Sequence, residues 1–265
     1  MRYGNVELKD ALLQDGLWDP FEHWNMGSAA DFIAGEFEVT REAMDRYALE
    51  SHQKAVAAID AGRFKAEIVP VEIPGRKGEV TVFETDEGPR RDTSIEGLAK
   101  LKPAFRPEGK VTAGNASSLN DGAAATVIAS RAYAEAHGLT PLARVVAYGQ
   151  AAVDAKYIFG APAIAIPKVL AKAGWKLTDV DLIELNEAFA AQVLANGYAL
   201  TDQGWDWAKV NVNGGGISLG HPLGASGARI LATLIYALKA RGLQRGIASL
   251  CLGGGEAVAM AIELE

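Results

Sequence analysis

Regular alternation of apolar strand-like runs with helical stretches over residues 121–265 constrains this chain most. TVIAS (126–130), RVVAYG (144–149), DLIEL (181–185), VNVN (210–213), IASLCL (247–252) and AVAMAIELE (257–265) read as strands. Between them, a short stretch ending at His137 and the stretches Ala163–Ala173, Glu187–Leu200 and Ala225–Lys239 read as helices, with Pro167 early in the second. Strands alternating with helices predict an α/β fold: a mostly parallel sheet with helices packed on it. Residues 1–120 differ, being turn-rich with clusters such as IPGRKG and DEGPRRDTS. One good helix is predicted there. Thr40 caps it, Met44, Tyr47, Ala48, Ala55, Val56 and Ile59 recur at helical spacing, and Gly62 ends it. IVPVEIP (68–74), with proline at both ends, reads as an edge strand or connector, and VTVFET (80–85) as a second strand.

Composition narrows the function classes. A net charge of −7 argues against nucleic acid as a partner, because phosphate binding needs a basic face. No apolar run approaches the roughly 18–20 residues that span a bilayer. The opening residues MRYGNVELKDALLQDG are charged and lack the apolar stretch of a secretory signal. One cysteine, Cys251, excludes an internal disulfide framework and points to a reducing cytoplasm. His23, His52, His137 and His221 have no metal-site spacing, so no metal is expected.

Three segments carry chemistry, each where a predicted strand ends, the place α/β folds hold ligands. In ELNEAFAAQ (184–192), Asn186 sits between strand and helix, where its side chain either caps the helix or holds a water or polar group. In NGGGISLGHPLGASGAR (213–229), six glycines among seventeen residues precede a helix and allow close backbone approach to a ligand. A helix start there favours negative charge. His221 is held inside this loop by Pro222, a good setting for an acid/base group. In SLCLGGGEA (249–257), Cys251 ends an apolar strand before three glycines. A buried inert thiol is one reading. The other is an acid/base thiol, with glycine N–H groups free to meet an oxyanion. Asn, His and Cys converging from three strand ends suit acyl or carbanion chemistry at a thioester.

NEAFAAQ (186–192), NVNGGGISLGHPLGASGARI (211–230) and CLGGGEAVAMAIE (251–263), in this order and spacing, closely resemble the C-terminal domain of thiolases. Upstream, GLWDPF, MGSAADFIA, TREAMDRYALESHQKA, GRFKAEIVPV, RRDTSIEGLAKLKPAF and TAGNASSLNDGAAA resemble the same family, so the likeness spans essentially the whole chain. Ketoacyl synthases share a Gly-His-x-x-Gly-Ala loop. They carry a second histidine where this chain has Asn186, and no cysteine at the position of Cys251.

The resemblance implies an acetyl-CoA C-acetyltransferase. Cys251 would be the acid/base, His221 would polarise the thioester oxygen, and Asn186 would position a water. The N–H of Gly253 would serve a second oxyanion hole. Leu17, Met26, Ala113, Ser117, Ala188 and Phe189 would line the pantetheine tunnel, with Arg90 near the nucleotide end. Coenzyme A is then a substrate, and no cofactor is implied. The layered family fold makes residues 1–118 a loop domain covering coenzyme A, 119–142 a return to the first half, and 143–265 a complete second half. The family's acylated cysteine lies in an opening stretch of about 100 residues or more, one domain's worth. No Cys-x-Ser-Gly-type motif matches it here, so an incomplete N-terminal half and an isolated chain without turnover are expected. Asn25 stands where acetoacetyl-type members often carry histidine. The partners implied are acyl-CoA and coenzyme A, and either further copies of this chain in a homo-oligomer or a partner chain supplying the N-terminal half. The alternatives are a β-oxidation 3-oxoacyl-CoA thiolase, one subunit of a split thiolase, and a non-catalytic coenzyme A binding module.

Overall fold

The computed structural model describes residues 3–265. Its first part is assembled from short elements tied together by polar side chains. Asp10 caps α1 (Ala11–Gly16), accepting from the Leu13 N–H at 3.2 Å. β1 (Trp18–Asp19) and β2 (Trp24–Asn25) form a two-residue antiparallel pair. Asn25 then caps α2 (Met26–Glu36), its Oδ1 accepting from the Ser28 N–H at 2.8 Å. Thr40 caps α3 (Arg41–Asp60) as expected, at 3.1 Å from the Ala43 nitrogen, and Met44, Tyr47, Ala48 and Ala55 form its buried face. Gly62 follows in the left-handed region at φ 66°. β3 (Val71–Pro74) and β4 (Val80–Phe83) pair only with each other, as an exposed antiparallel hairpin. α4 (Ile95–Ala99) and α5 (Arg131–Ala136) complete this part.

The second part holds β5 (Ala143–Ala152), α6 (Pro162–Ala173), β6 (Leu182–Leu185), α7 (Ala190–Ala199), α8 (Gly216–Leu219), α9 (Leu223–Arg241), β7 (Arg245–Leu252) and β8 (Glu256–Leu264). The sheet order is β5-β8-β7-β6. The expected mostly parallel sheet is not observed: β6 and β7 are parallel, but β8 runs antiparallel to both β7 and β5. A short glycine turn joins β7 to β8, and such a turn can only reverse the chain. A parallel pair needs a long crossover.

The sheet separates two cores. Side chains alternate across it. Ile183, Leu185, Ile247, Ala259 and Ala261 face the larger core with α2, α3, α6 and α7. Leu182, Ala248 and Ile262 face the smaller core under α9, with Ile230, Leu234 and Leu238. At the edge, the Lys168 and Lys172 ammoniums donate to the Gln150 and Tyr148 carbonyls of β5 at 2.8 and 3.1 Å, which blunts an otherwise open strand.

Two predicted strands are absent. TVIAS (126–130) is irregular, with Val127 95% and Ile128 74% exposed, because no strand lies beside it to complete a ladder. VNVN (210–213) is reduced to isolated bridges from Val210 to Ile183 and from Val212 to Gly214. The helix expected from Glu187 starts later, at Ala190. Residues 186–189 stay outside the helix: Phe189 is extended and bridges Ala116, and the Ala190 N–H donates to the Asn115 carbonyl at 2.9 Å.

Candidate active site

β6 and β7 run side by side in register from Leu182↔Gly246 to Leu185↔Ser249. The Asn186 N–H extends this ladder, donating to the Ser249 carbonyl at 3.0 Å. Asn186 and Cys251 therefore leave adjacent strand ends in the same direction. Asn186 does not cap α7, because that helix begins at Ala190. Its side chain is instead 1% exposed, with Nδ2 3.3 Å from Nε2 of His221. Its Oδ1 is buried and has no hydrogen-bond partner among the described residues, and a buried amide oxygen of this kind suits a water or a substrate donor.

His221 follows α8 and Gly220. Gly220 sits at φ 98°, a backbone conformation that favours glycine; a Cβ there would stand 2.4 Å from the amide oxygen of the exposed Asn120 side chain, which would have to swing away. The His221 N–H donates to the Ser118 carbonyl at 3.3 Å, and its Nδ1 lies 2.6 Å from the buried Ser226 hydroxyl. Burial first, and the Arg229 positive charge second, push its imidazole down to about 4. At neutral pH it is an uncharged ring with one donor and one acceptor face.

Cys251 is half-buried at the end of β7, packed against the larger core, and is a free thiol. Burial pushes it up to about 12. It makes no hydrogen bond to His221 or Asn186 among the described residues. Beyond it, Gly253 is exposed, and a Cβ on it would meet nothing within 4 Å.

The remaining predicted residues fall in four places. Ser117, Ala188 and Phe189 are knitted by the Ser117 N–H to Ala188 carbonyl bond at 3.1 Å and the Ala116–Phe189 bridge. Phe189 is buried edge-on to Phe105 and Phe159, with centroids 6.1 and 5.3 Å away. Leu17 and Met26 are joined by the Met26 N–H to Leu17 carbonyl bond at 3.0 Å, and both are half-buried. Ala113 is exposed. Arg90 is exposed on the loop between β4 and α4, and its backbone N–H donates to Nδ1 of His52 at 3.1 Å.

Two residues that matter here were not singled out from the sequence. Ser226 holds the far nitrogen of His221. Glu187, beside Asn186, is 1% exposed and accepts from Tyr47 (2.9 Å), Ser51 (2.7 Å), Asn211 (3.0 Å) and the Ile217 N–H (3.1 Å). It ties α3 to the glycine-rich loop. Glycine at 215 makes room for it, since a Cβ there would lie 2.4 Å from the Glu187 carboxyl carbon. A carboxylate among the buried residues following a strand was the available signal.

Comparison with known proteins bears on the family and the fold. The family model "Thiolase, N-terminal domain" matches residues 1–132, and "Thiolase, C-terminal domain" matches residues 139–264. An acetyl-CoA acetyltransferase of Pseudomonas aeruginosa is 53% identical over 262 residues, covering 99% of this chain and 66% of the relative. A probable acetyl-CoA acetyltransferase of Escherichia coli is 52% identical over 260 residues, covering 98% and 65%. The crystal structure of the Bacillus anthracis acetyl-CoA acetyltransferase superposes with a TM-score of 0.94 at 50% identity, covering 100% of this chain and 66% of that one. The chain thus spans about 66% of the length of these relatives. An incomplete N-terminal half finds no support here, since models of both domains match. With both domain models matched and its fold shared, the chain belongs to the thiolase family.

Proposed function

We propose that this site performs acetyl-CoA C-acetyltransferase chemistry: condensation of two acetyl-CoA to acetoacetyl-CoA, and the reverse thiolysis. The observation that carries it is the Asn186–His221 pair at the mouth of the strand that ends in Cys251. Relatives at about half identity bear that enzyme's name.

Abstracting a proton from the methyl of a thioester places negative charge on its carbonyl oxygen, and donors set in advance lower that cost. In this reading His221 Nε2–H and a water on Asn186 supply them. A neutral imidazole suits the task, because it donates without surrendering its proton. As placed, the Asn186 Nδ2–H2 can only donate to Nε2, which fits the ring protonated on Nδ1 and donating to Ser226; the oxyanion role needs the other tautomer, with the Ser226 hydroxyl donating to Nδ1 and the substrate oxygen taking the place of the Asn186 contact at Nε2. Gly253 is exposed beside open space, and in this reading its N–H serves a second oxyanion. Cys251 shuttles the proton. A thiol held high is an acid in place for the enolate leaving in thiolysis, and its thiolate is a strong base for condensation. Leu17, Met26, Ala113, Ser117, Ala188 and Phe189 line the approach for pantetheine, and Arg90 meets the nucleotide end.

Acyl transfer in two stages needs a covalently acylated group. The protein is assigned to the cytoplasm on its single free cysteine; among the described residues no helix is long and apolar enough to cross a membrane.

The test is acetoacetyl-CoA thiolysis by the purified chain, at catalytic and at stoichiometric protein, beside Cys251→Ser and His221→Ala. Turnover lost in both variants supports the assignment. Coenzyme A binding with no turnover at either protein level leaves a binding module and overturns it.

A further inference from the structure

The loop 86–92 between β4 and α4 has almost no regular structure, yet it is fixed at three points. Gly88 lies so close to α8 that a Cβ on it would stand 2.5 Å from the Ser218 carbonyl oxygen. The Arg90 N–H donates to Nδ1 of His52 at 3.1 Å. Arg91 grips Asp60 with both arms of its guanidinium, at 2.9 and 2.6 Å. His52 and Asp60 belong to α3. Ser218 precedes His221 by three residues, so the loop runs beside the catalytic candidate. Between these anchors the exposed Arg90 side chain enters none of the ion pairs among the described residues.

Resting on the coenzyme A reading above, we propose that His52 is a positioning residue for substrate: its neutral imidazole latches the Arg90 backbone and so presents the Arg90 guanidinium beside α8 as a fixed cation for an anionic group of the acyl-CoA. The bond needs a lone pair on Nδ1, hence the neutral ring protonated on Nε2. A doubly protonated ring turns that acceptor into a donor facing the Arg90 N–H. His52 is buried, and burial first and the Arg90 charge second hold it below its ordinary value of 6.5, against the opposing charge of Asp92. Those two side chains are the charged groups acting on the ring from the loop, and α8 (GISL) brings no titratable one. The latch is therefore closed at neutral pH and opens in acid, below 6.5.

Asparagine separates this role from packing alone, because its Oδ1 occupies nearly the place of a histidine Nδ1, accepts a hydrogen bond and does not titrate. Coenzyme A binding by the purified chain is measured by calorimetry from pH 8 to pH 5 for wild type, His52→Asn and His52→Leu, with amide exchange of Arg90 recorded alongside. Coenzyme A phosphates titrate in the same range, but identically for all three proteins. Wild-type affinity is expected to fall more steeply in acid than that of His52→Asn. His52→Leu is expected to bind about tenfold more weakly at pH 8, the worth of one hydrogen bond, with Arg90 amide protection lost. Parallel pH profiles for wild type and His52→Asn overturn the proposal, and that comparison stands even where His52→Leu fails to fold. Wild type that binds no coenzyme A at any pH, with Arg90 still protected, overturns the coenzyme A reading and this inference with it.

Discussion

Ser226 Oγ lies 2.6 Å from Nδ1 of His221, while the Asn186 amide lies 3.3 Å from Nε2, so both ring nitrogens are held. Ser226 is fully buried on the first turns of α9, which fixes the ring to the helix rather than to the flexible side of the loop. Ser226→Ala leaves Nδ1 without its partner and is expected to lower kcat of thiolysis about five- to tenfold, the worth of one hydrogen bond. Imidazole 15N shifts should show His221 uncharged from pH 7 down to pH 5, since it titrates at about 4. An unchanged kcat in the variant removes Ser226 from any orienting role.

A cluster of acids under α9 gives the protein an unusual dependence of stability on pH. Glu184 is 2% exposed and its carboxylate is 3.9 Å from the Arg229 guanidinium. Burial nevertheless raises it to about 8, because one cation at that distance does not offset desolvation, and Glu187 and Glu67 add to the rise. Glu67 is raised to about 7, again by burial first. Their ordinary value is 4.5, so between there and 7–8 the folded state holds protons that the unfolded state has lost. Their stabilising contribution is complete below 4.5 and disappears as pH rises through 7 and 8. His221 acts oppositely and lower, its contribution fading as pH falls below 6.5 toward 4. Glu184→Gln keeps a neutral group at all pH. Its melting temperature relative to wild type should rise steadily between pH 6 and pH 8.5; a constant difference would show that Glu184 does not titrate there.

How far the sequence discloses this site depends on what each signal measures. The strand ends at Asn186 and Cys251 are visible because apolar runs stop there, and the glycine-rich loop announces His221. Partners in space are not encoded in that way. TVIAS has a strand's composition, but a strand exists only against a neighbour, and residues 126–130 have none. Asn186 looks like a helix cap, but the Ala116–Phe189 bridge holds Phe189 extended and α7 begins only at Ala190. Asn25, noted in the sequence as a departure from the family, caps α2 through its side chain. The glycines read as room for a ligand. At Gly215 they are room for Glu187, whose buried position no local pattern reveals.

Cys251 should be a slow thiol. Among the described residues no charged group acts on it, and burial pushes it up to about 12, so very little is thiolate at neutral pH. Alkylation of the free protein by iodoacetamide at pH 7.5 is expected to be much slower than that of a free cysteine, and to keep accelerating above pH 9. A rate that levels off near pH 8 would mean that a neighbour activates the thiol even without substrate.

Two glycines that look alike in the sequence should separate sharply on substitution. At Gly215 the backbone is extended, φ −159°, so alanine meets no conformational strain, but its Cβ would stand 2.4 Å from the Glu187 carboxyl carbon. Glu187 cannot yield without releasing Tyr47, Ser51, Asn211 and Ile217 together. Gly215→Ala is therefore expected to cost about 1–3 kcal/mol in urea unfolding, the range of overpacking in a filled core. At Gly253 the added methyl enters open space, and stability should stay within about 0.5 kcal/mol of wild type. The methyl would nonetheless stand at the N–H offered to an oxyanion, so Gly253→Ala should lower kcat while leaving the unfolding curve in place. Equal destabilisation by both substitutions would mean that the buried Glu187 network does not hold the loop.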